Sequence, residues 1–383
     1  MSQSTTCCLC CIVLVAGTLT SECLAQTADN TDAVDVLSED QWQQVDSSVE
    51  EALKWLASQQ QRDGSFPTLA NGQPGVTSLC VMAFMAHGHL PGQGPYGEQL
   101  RRAIDYVVSC QKRNGILALV APNGPSISRN VPYATGSTAS YNHAIAGLVL
   151  SESYAIEGAK RAHTLRPIIR KALDVTLEMQ RWPKDNVDDK GGWRYLNDFD
   201  HEDSDLSITG WQLIFLRSAK NAGFDVSNEP IDAAVAYVRR CFLPDSGTFA
   251  YAFSYKDYTS RAMAGAGILA LAHSGLHDTP EAQSAGDWLL RNRFDDYNGN
   301  PESLERYHYG LLTCCQAMYQ LGGPHWERFY PSTVTSIVSN QQPNGSWPRE
   351  SHHRDASFGS AYTTAICLVA LGAPNQLLPI FQR

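Results

Sequence analysis

The sequence predicts an all-α protein, a single α/α toroid of about six helical hairpins, and three observations predict it. Six apolar, alanine-rich stretches each run into a glycine, six amphipathic stretches alternate with them, and a turn of the form Gln…Asp/Asn-Gly-Ser-aromatic recurs between the two sets. A helix apolar nearly all round must be enclosed by protein, whereas a helix with one apolar stripe lies at a surface. Alternating the two gives hairpins that cannot bury their own faces, and stacking neighbours until the row closes buries them all. The expected arrangement is an inner ring of apolar helices inside an outer ring of amphipathic ones.

The apolar stretches are 77–88, 144–158, 207–223, 264–275, 310–322 and 361–372, with closing glycines 47 to 70 residues apart. Each glycine is expected to take the left-handed conformation that ends a helix and turns the chain back. The amphipathic stretches are 49–60, 99–111, 167–180, 231–241, 282–292 and 331–341, with apolar residues near i, i+3, i+4 and i+7. Between them stand Asp63-Gly64-Ser65-Phe66, Asn114-Gly115, Gly191-Gly192-Trp193, Ser246-Gly247-Thr248-Phe249 and Asn344-Gly345-Ser346-Trp347. The Asp-Gly or Asn-Gly pair makes a tight turn, the aromatic packs back on the hairpin, and a preceding glutamine amide can bond free backbone groups at a helix end. The fourth and fifth units have Cys241 and Arg293 in place of that glutamine, so their turns should be held differently.

Composition supports a large core and excludes some partners. Of 383 residues 43% are hydrophobic and 18% charged, and the net charge is −10 with no Lys/Arg-rich run, so neither nucleic acid nor an anionic membrane surface is an expected partner. An apolar run at 7–19 followed by small residues before Gln26 has the form of an export signal, too short to span a bilayer. The expected division is a signal peptide at 1–25, a linker at 26–45 and one toroid domain at 46–383, in a periplasmic or extracellular protein with no transmembrane segment once the signal is removed. Five of eleven cysteines lie in the leader; the other six form no CxxC pair and no Cys/His zinc spacing, and read as small core hydrophobes. Neither a metal nor a cofactor is expected, and protein partners are left open.

The repeat resembles the QW-type repeats of the squalene cyclase and protein prenyltransferase β-subunit superfamily across essentially the whole mature chain. Tyr307-His308-Tyr309-Gly310, Gly345-Ser346-Trp347, Ala361-Tyr362-Thr363-Thr364 and Asp205-Leu206-Ser207-Ile208-Thr209-Gly210-Trp211-Gln212 look like the exported bacterial prenyltransferase/squalene oxidase repeat proteins. The resemblance implies the toroid. It does not carry over the chemistry: the Asp-x-Asp-Asp acid of the cyclases is missing, its nearest approaches being Asp198-Phe199-Asp200-His201 and Asp203-Ser204-Asp205-Leu206, and Ser207 stands where the prenyltransferases have a zinc-binding cysteine.

In a toroid the N-termini of the inner helices gather at one mouth of the ring, which nominates the residues beside them. Asp203, Asp205 and His308 are the candidate catalytic groups, because a carboxyl raised by burial, or an imidazole, can move protons. Asp205 or Ser207 alternatively caps a helix, and the other acids are alternatively solvated. Tyr141, His143, Trp211, Arg261, Tyr307 and Tyr362 are candidate ligand-binding residues, with the alternative that the aromatics pack the ring. Three functional readings follow: a toroid binding an apolar or isoprenoid-like ligand, a carbohydrate-active lyase or hydrolase, and a non-catalytic interaction scaffold. The filling of the central cavity separates them.

Overall fold

The computed structural model describes residues 36–157, 161–196, 203–299 and 305–382. The segment expected to be an export signal, 1–25, falls outside the described residues. Among the described residues there are twelve α-helices and one two-stranded hairpin. The inner helices are α2 (Gly75–Ala86), α4 (Tyr133–Glu157), α6 (Leu206–Asn221), α8 (Arg261–Ala272), α10 (Tyr307–Leu321) and α12 (Gly359–Leu371). The outer helices are α1 (Glu39–Gln59), α3 (Gly97–Ser109), α5 (Ala162–Gln180), α7 (Asn228–Arg240), α9 (Pro280–Arg291) and α11 (Gly323–Ser339). Each inner helix packs against the inner helices before and after it, and α12 returns to α2, so the inner ring is closed. The outer ring closes where α11 meets α1. The chain is an α/α toroid.

Residue type explains the two layers. Every residue of α2 is buried, and so is nearly every residue of α6, α8, α10 and α12, whereas α3 buries only Gly97, Leu100, Ala103, Ile104 and Val107 along one stripe. Helix α1 begins at Glu39, inside the stretch assigned to a linker, because Ser38 and Gln41 form a reciprocal capping box. Helices α5 and α11 begin several residues before Pro167 and Pro331, which lie within them.

In four of the six units a recurring glutamine ties the turn to the next outer helix. Gln60 Nε2 donates to Gly64 O of its own turn (3.1 Å) and to Gln99 O of the next outer helix (2.8 Å). Gln111 repeats this on Gly115 O and Ile168 O, Gln180 on Gly191 O and Pro230 O, and Gln341 on Gly345 O and Ser48 O. The last of these joins the end of the repeat to its beginning, and Ser48 Oγ returns a bond to Gln341 Oε1 at 2.7 Å. Where the glutamine is missing, other groups serve: β1 (Phe242–Leu243) and β2 (Thr248–Phe249) pair in the fourth unit and Ser284 Oγ reaches Gly247 O, while in the fifth Arg261 donates to Arg293 O. The aromatics Phe66, Trp193, Phe249, Phe294 and Trp347 are buried, and the amides of Phe66, Trp193 and Trp347 donate to Thr77, Thr209 and Thr364 on the inner helices.

Gly88, Gly223, Gly275 and Gly322 have the positive φ expected of a helix-ending glycine, and Gly158 lies outside the described residues. Gly372 departs from expectation, with φ −81°. It is there for space, since a Cβ would come 3.1 Å from Ala86 O, and the left-handed residue is instead Gln376 at φ 49°. The six cysteines after the leader are all free and buried. No described helix is long and apolar enough to cross a membrane.

The turn glycines carry a double requirement. Gly191 has φ +90° and a Cβ there would lie 2.1 Å from Ala233 O on the next outer helix, whereas Gly223 has φ +85° with open space around it. Gly223→Ala is expected to cost about 1 kcal/mol, the strain of the left-handed conformation alone, and Gly191→Ala at least about 3 kcal/mol because the unit interface must also part. Urea unfolding of the two variants measures the difference, and equal losses would contradict the close-approach argument.

Candidate functional site

The bore of the ring is nearly filled. Helices α4 and α10 lie opposite each other, and Tyr141 and Tyr309 meet across the ring with centroids 6.5 Å apart. Trp211 of α6 stacks on Tyr309 at 6.4 Å and 21°. One turn deeper, Ile214, Leu269 and Leu312 surround a cavity of about 20 Å³, room for about one water, whose lower boundary is Phe381. Tyr141, Tyr309 and Tyr362 are only half-buried, so the aromatics form the floor of the mouth.

Asp205 is wholly buried beside this floor and is the N-cap of α6. Its Oδ1 accepts from the Ile208 amide at 3.0 Å and from the Ser207 hydroxyl, and its Oδ2 from Arg194 at 2.7 Å. Because Ser207 gives its only proton to Asp205, the 2.7 Å contact between Tyr141 and Ser207 has Tyr141 as donor. Arg194 also donates to Tyr251, whose hydroxyl meets that of Tyr195 at 2.7 Å. Burial opposes the Arg194 charge, but Asp205 and the tyrosines outweigh it and its pKa rises; burial followed by the nearby Asp205 charge keeps the phenols of Tyr141 and Tyr251 protonated. This side of the mouth is a paired ion with a fringe of oriented phenols.

Asp203 belongs to a different cluster. Its carboxylate accepts from Arg129 at 2.9 Å and from the Asp185 amide at 2.7 Å, while its own amide donates to Asp189 and its carbonyl accepts from Lys184. Burial lowers Lys184 to about 8 against the pull of Asp203. These bonds clasp two loops together.

His308 is completely buried near the start of α10. Its amide and its Nδ1 both contact Glu350 Oε2, at 2.9 and 2.8 Å, and Nε2 contacts the Tyr297 hydroxyl at 3.0 Å. Burial works to raise Glu350, but the bonds from His308 win and hold it below the usual range. The triad pins the 297 and 350 loops to the inner ring, and the structure does not bring His308 together with Asp203 or Asp205 through any hydrogen bond.

The remaining nominated residues divide between wall and floor. His143 lies between α4 and α5: Nδ1 accepts from the Leu117 amide at 3.2 Å, Nε2 contacts Thr176, and burial lowers the ring to about 4, so it is neutral. Asn142 bonds the backbone of residues 71, 73 and 75. Arg261 stacks on Phe294 at 4.2 Å and pairs with Glu305. Tyr307 is buried against Phe294 and Tyr297. Tyr362 packs on Phe358 at the mouth.

Sequence reasoning did not nominate Arg194, Tyr251, Tyr309, Glu350, Asp355 or Phe381. Tyr309 was within reach, since Tyr309, Leu312 and Gln316 fall on one helical face. Asp355, paired with Arg306 at 3.5 Å, is raised to about 6 by burial, which outweighs Arg306. Among the described residues no three His, Cys, Asp or Glu side chains are grouped to hold a metal ion.

No family model matches the sequence, and no curated protein matches it either. Solved structures match it in fold. A glycosidase variant superposes with a TM-score of 0.59 at 11% identity over 90% of this chain and 100% of its own. A family 76 glycoside hydrolase from a bovine Bacteroides thetaiotaomicron strain gives 0.58 at 10% identity over 86% and 76%. The type II terpene cyclase MstE from Scytonema gives 0.51 at 14% identity over 88% and 99%. These likenesses define the class, an α/α toroid, and at such identities they show the fold alone.

Asp355 gives a pH prediction. Its folded pKa of about 6 lies above the ordinary value of 3.8, so ionisation costs stability that is fully present as a penalty at pH 7 and vanishes as the pH falls to 4. Asp355→Asn is expected to stabilise the fold at pH 7 by about 1–3 kcal/mol, the gain shrinking towards pH 4. Thermal unfolding across that range checks it; a gain independent of pH counts against the assignment.

Proposed function

We propose that the chain recognises carbohydrate, taking a sugar ring on the aromatic floor formed by Tyr141, Trp211 and Tyr309. The observation that carries this reading is that three aromatic rings from three inner helices meet at the mouth, next to phenols and an Arg194–Asp205 pair already oriented by hydrogen bonds. A sugar presents an apolar face for stacking and an edge of hydroxyls for such donors and acceptors. An isoprenoid chain needs an enclosed apolar pocket of hundreds of Å³, the range of ordinary ligand sites, and the cavity beneath the aromatic floor holds about 20 Å³.

In this reading Asp203, Asp205 and His308 are positioning residues that hold the mouth together. Asp355 is the carboxyl suited to donate a proton, since a group raised to about 6 is still partly protonated near neutrality, and its charge is felt by Tyr362 at the mouth. An exported location, as the leader suggests, belongs to the same proposal.

The test is a calorimetric screen of oligosaccharides against the protein, followed by variants of the floor. Tyr309→Ala and Trp211→Ala are each expected to weaken a binding glycan about tenfold or more, which is about 1.4 kcal/mol, while Tyr309→Phe keeps most of the affinity. A glycan bound equally by all variants, or no glycan binding alongside a stoichiometric lipid in an organic extract of the purified protein, sinks the proposal.

A further inference from the structure

The lower end of the bore is closed by the chain itself. After α12, residues 373–382 run beneath the ring in two short 3-10 turns, Ala373–Asn375 and Pro379–Phe381, separated by the left-handed Gln376 and the half-exposed Leu377. Leu378, Ile380 and Phe381 are buried. Two buried polar side chains from opposite inner helices hold the segment: Gln320 of α10 donates to Phe381 O at 2.6 Å, and Glu152 of α4 accepts from the Ile380 amide at 3.3 Å. Burial raises the Glu152 carboxyl, and the Ser218 hydroxyl also bonds it. The Phe381 ring stands 6.1 Å from that of His273 and bounds the small cavity from below.

The fit is incomplete. Gln316 lines the cavity and is 97% buried, yet its Oε1 has no partner; His273 is 92% buried and its Nε2 has none either. A buried polar atom without a partner costs stability, and nothing in Phe381 can supply the missing bond. An occupant with an apolar body and one hydrogen-bond donor would satisfy the apolar wall as Phe381 does and the Gln316 carbonyl as Phe381 does not.

We propose that the lower bore is a second binding site, for an apolar molecule carrying one hydroxyl or amide donor, and that residues 376–382 are its displaceable stopper. The segment has the construction of a replaceable part: it lies outside the helix pairs of the ring, and its grip on the bore wall includes single side-chain bonds from Gln320 and Glu152. The site lies beneath Trp211 and Tyr309, whose rings bound it from above, and does not depend on what the mouth binds.

The experiment uses the full chain with Phe381→Ala and two probes of one shape, 3-phenyl-1-propanol and propylbenzene, with binding read from the rise in melting temperature and from calorimetry. Water holds the alcohol better than the hydrocarbon, so a plain apolar hole favours propylbenzene. The proposal expects the alcohol to bind at least about tenfold more tightly, and Gln316→Leu in the same background to abolish that preference. Equal or reversed preference, or no binding to a folded variant, overturns it. Should Phe381→Ala not fold, hydrogen exchange of the unmodified chain decides: the alcohol is expected to speed exchange at the Ile380 and Phe381 amides while α10 is unchanged, and exchange there that does not respond overturns the proposal.

Discussion

Everything in this molecule depends on ring closure. An inner helix such as α8, with the sequence RAMAGAGILALA, has no face that tolerates water, and its small residues let neighbours approach until Gly265 sits against the α10 backbone at Thr313 and Cys314. No single hairpin can supply such surroundings, so the hairpins are stable only as a closed set. The bonds of Gln341 to α1, between residues 293 positions apart, are the same bonds that join consecutive units elsewhere. Closure is therefore a repeat interface like the others, made between the two ends of the array.

Closure also decides what is left for function. The bore of this six-membered ring is narrow, and side chains from opposite helices meet in it, as Tyr141 and Tyr309 do. The polar residues at the tops of the inner helices then face two demands, because the loops that descend on them bring backbone groups that must be bonded. Asp205, His308 and Asn142 meet those demands almost completely: a helix cap with an ion pair, a bond to Glu350, and bonds to three backbone groups of the connection into α2. A group that satisfied has little left to offer a substrate, which moves attention to the half-buried phenols and to Asp355.

The fold was legible in the sequence because its signals are local and repeated. The glycine after the helix, the Asp/Asn-Gly turn and the glutamine before it each report the backbone within a few residues of themselves, and even the loss of glutamine at Cys241 and Arg293 marked turns held differently. Gly372 misled because a glycine needed for close approach and one needed for a left-handed turn are the same letter. The site was legible only in position. Proximity to an inner-helix N-terminus placed Asp205 and Trp211 near the mouth, but the partners that bind Asp205 into an ion pair, such as Arg194, and the burial that raises Asp355 against the pull of Arg306 come from packing that the local sequence does not report. Phe381 was illegible because nothing in a short C-terminal segment without periodicity says that it enters the bore.

The two ends of the bore pose opposite problems, and their solutions differ accordingly. At the mouth the helix N-termini present unpaired amides, which favour oxygen acceptors, and the chain answers with carboxylates, phenols and a guanidinium bound into fixed pairs. At the base the helix C-termini present carbonyls, and the segment at 376–382 covers that end with aliphatic and aromatic side chains held by Gln320 and Glu152. The mouth therefore carries fixed ion pairs and oriented phenols, whereas the base is covered by apolar side chains and has Gln316 Oε1 and His273 Nε2 without a partner. In a ring whose walls are fixed by six interfaces between neighbouring inner helices, these two ends are where one side chain can change what the bore admits without disturbing closure. That separation of a rigid wall from two independently variable ends is how one toroid scaffold can carry unrelated chemistries, and why likeness of fold alone does not choose between them.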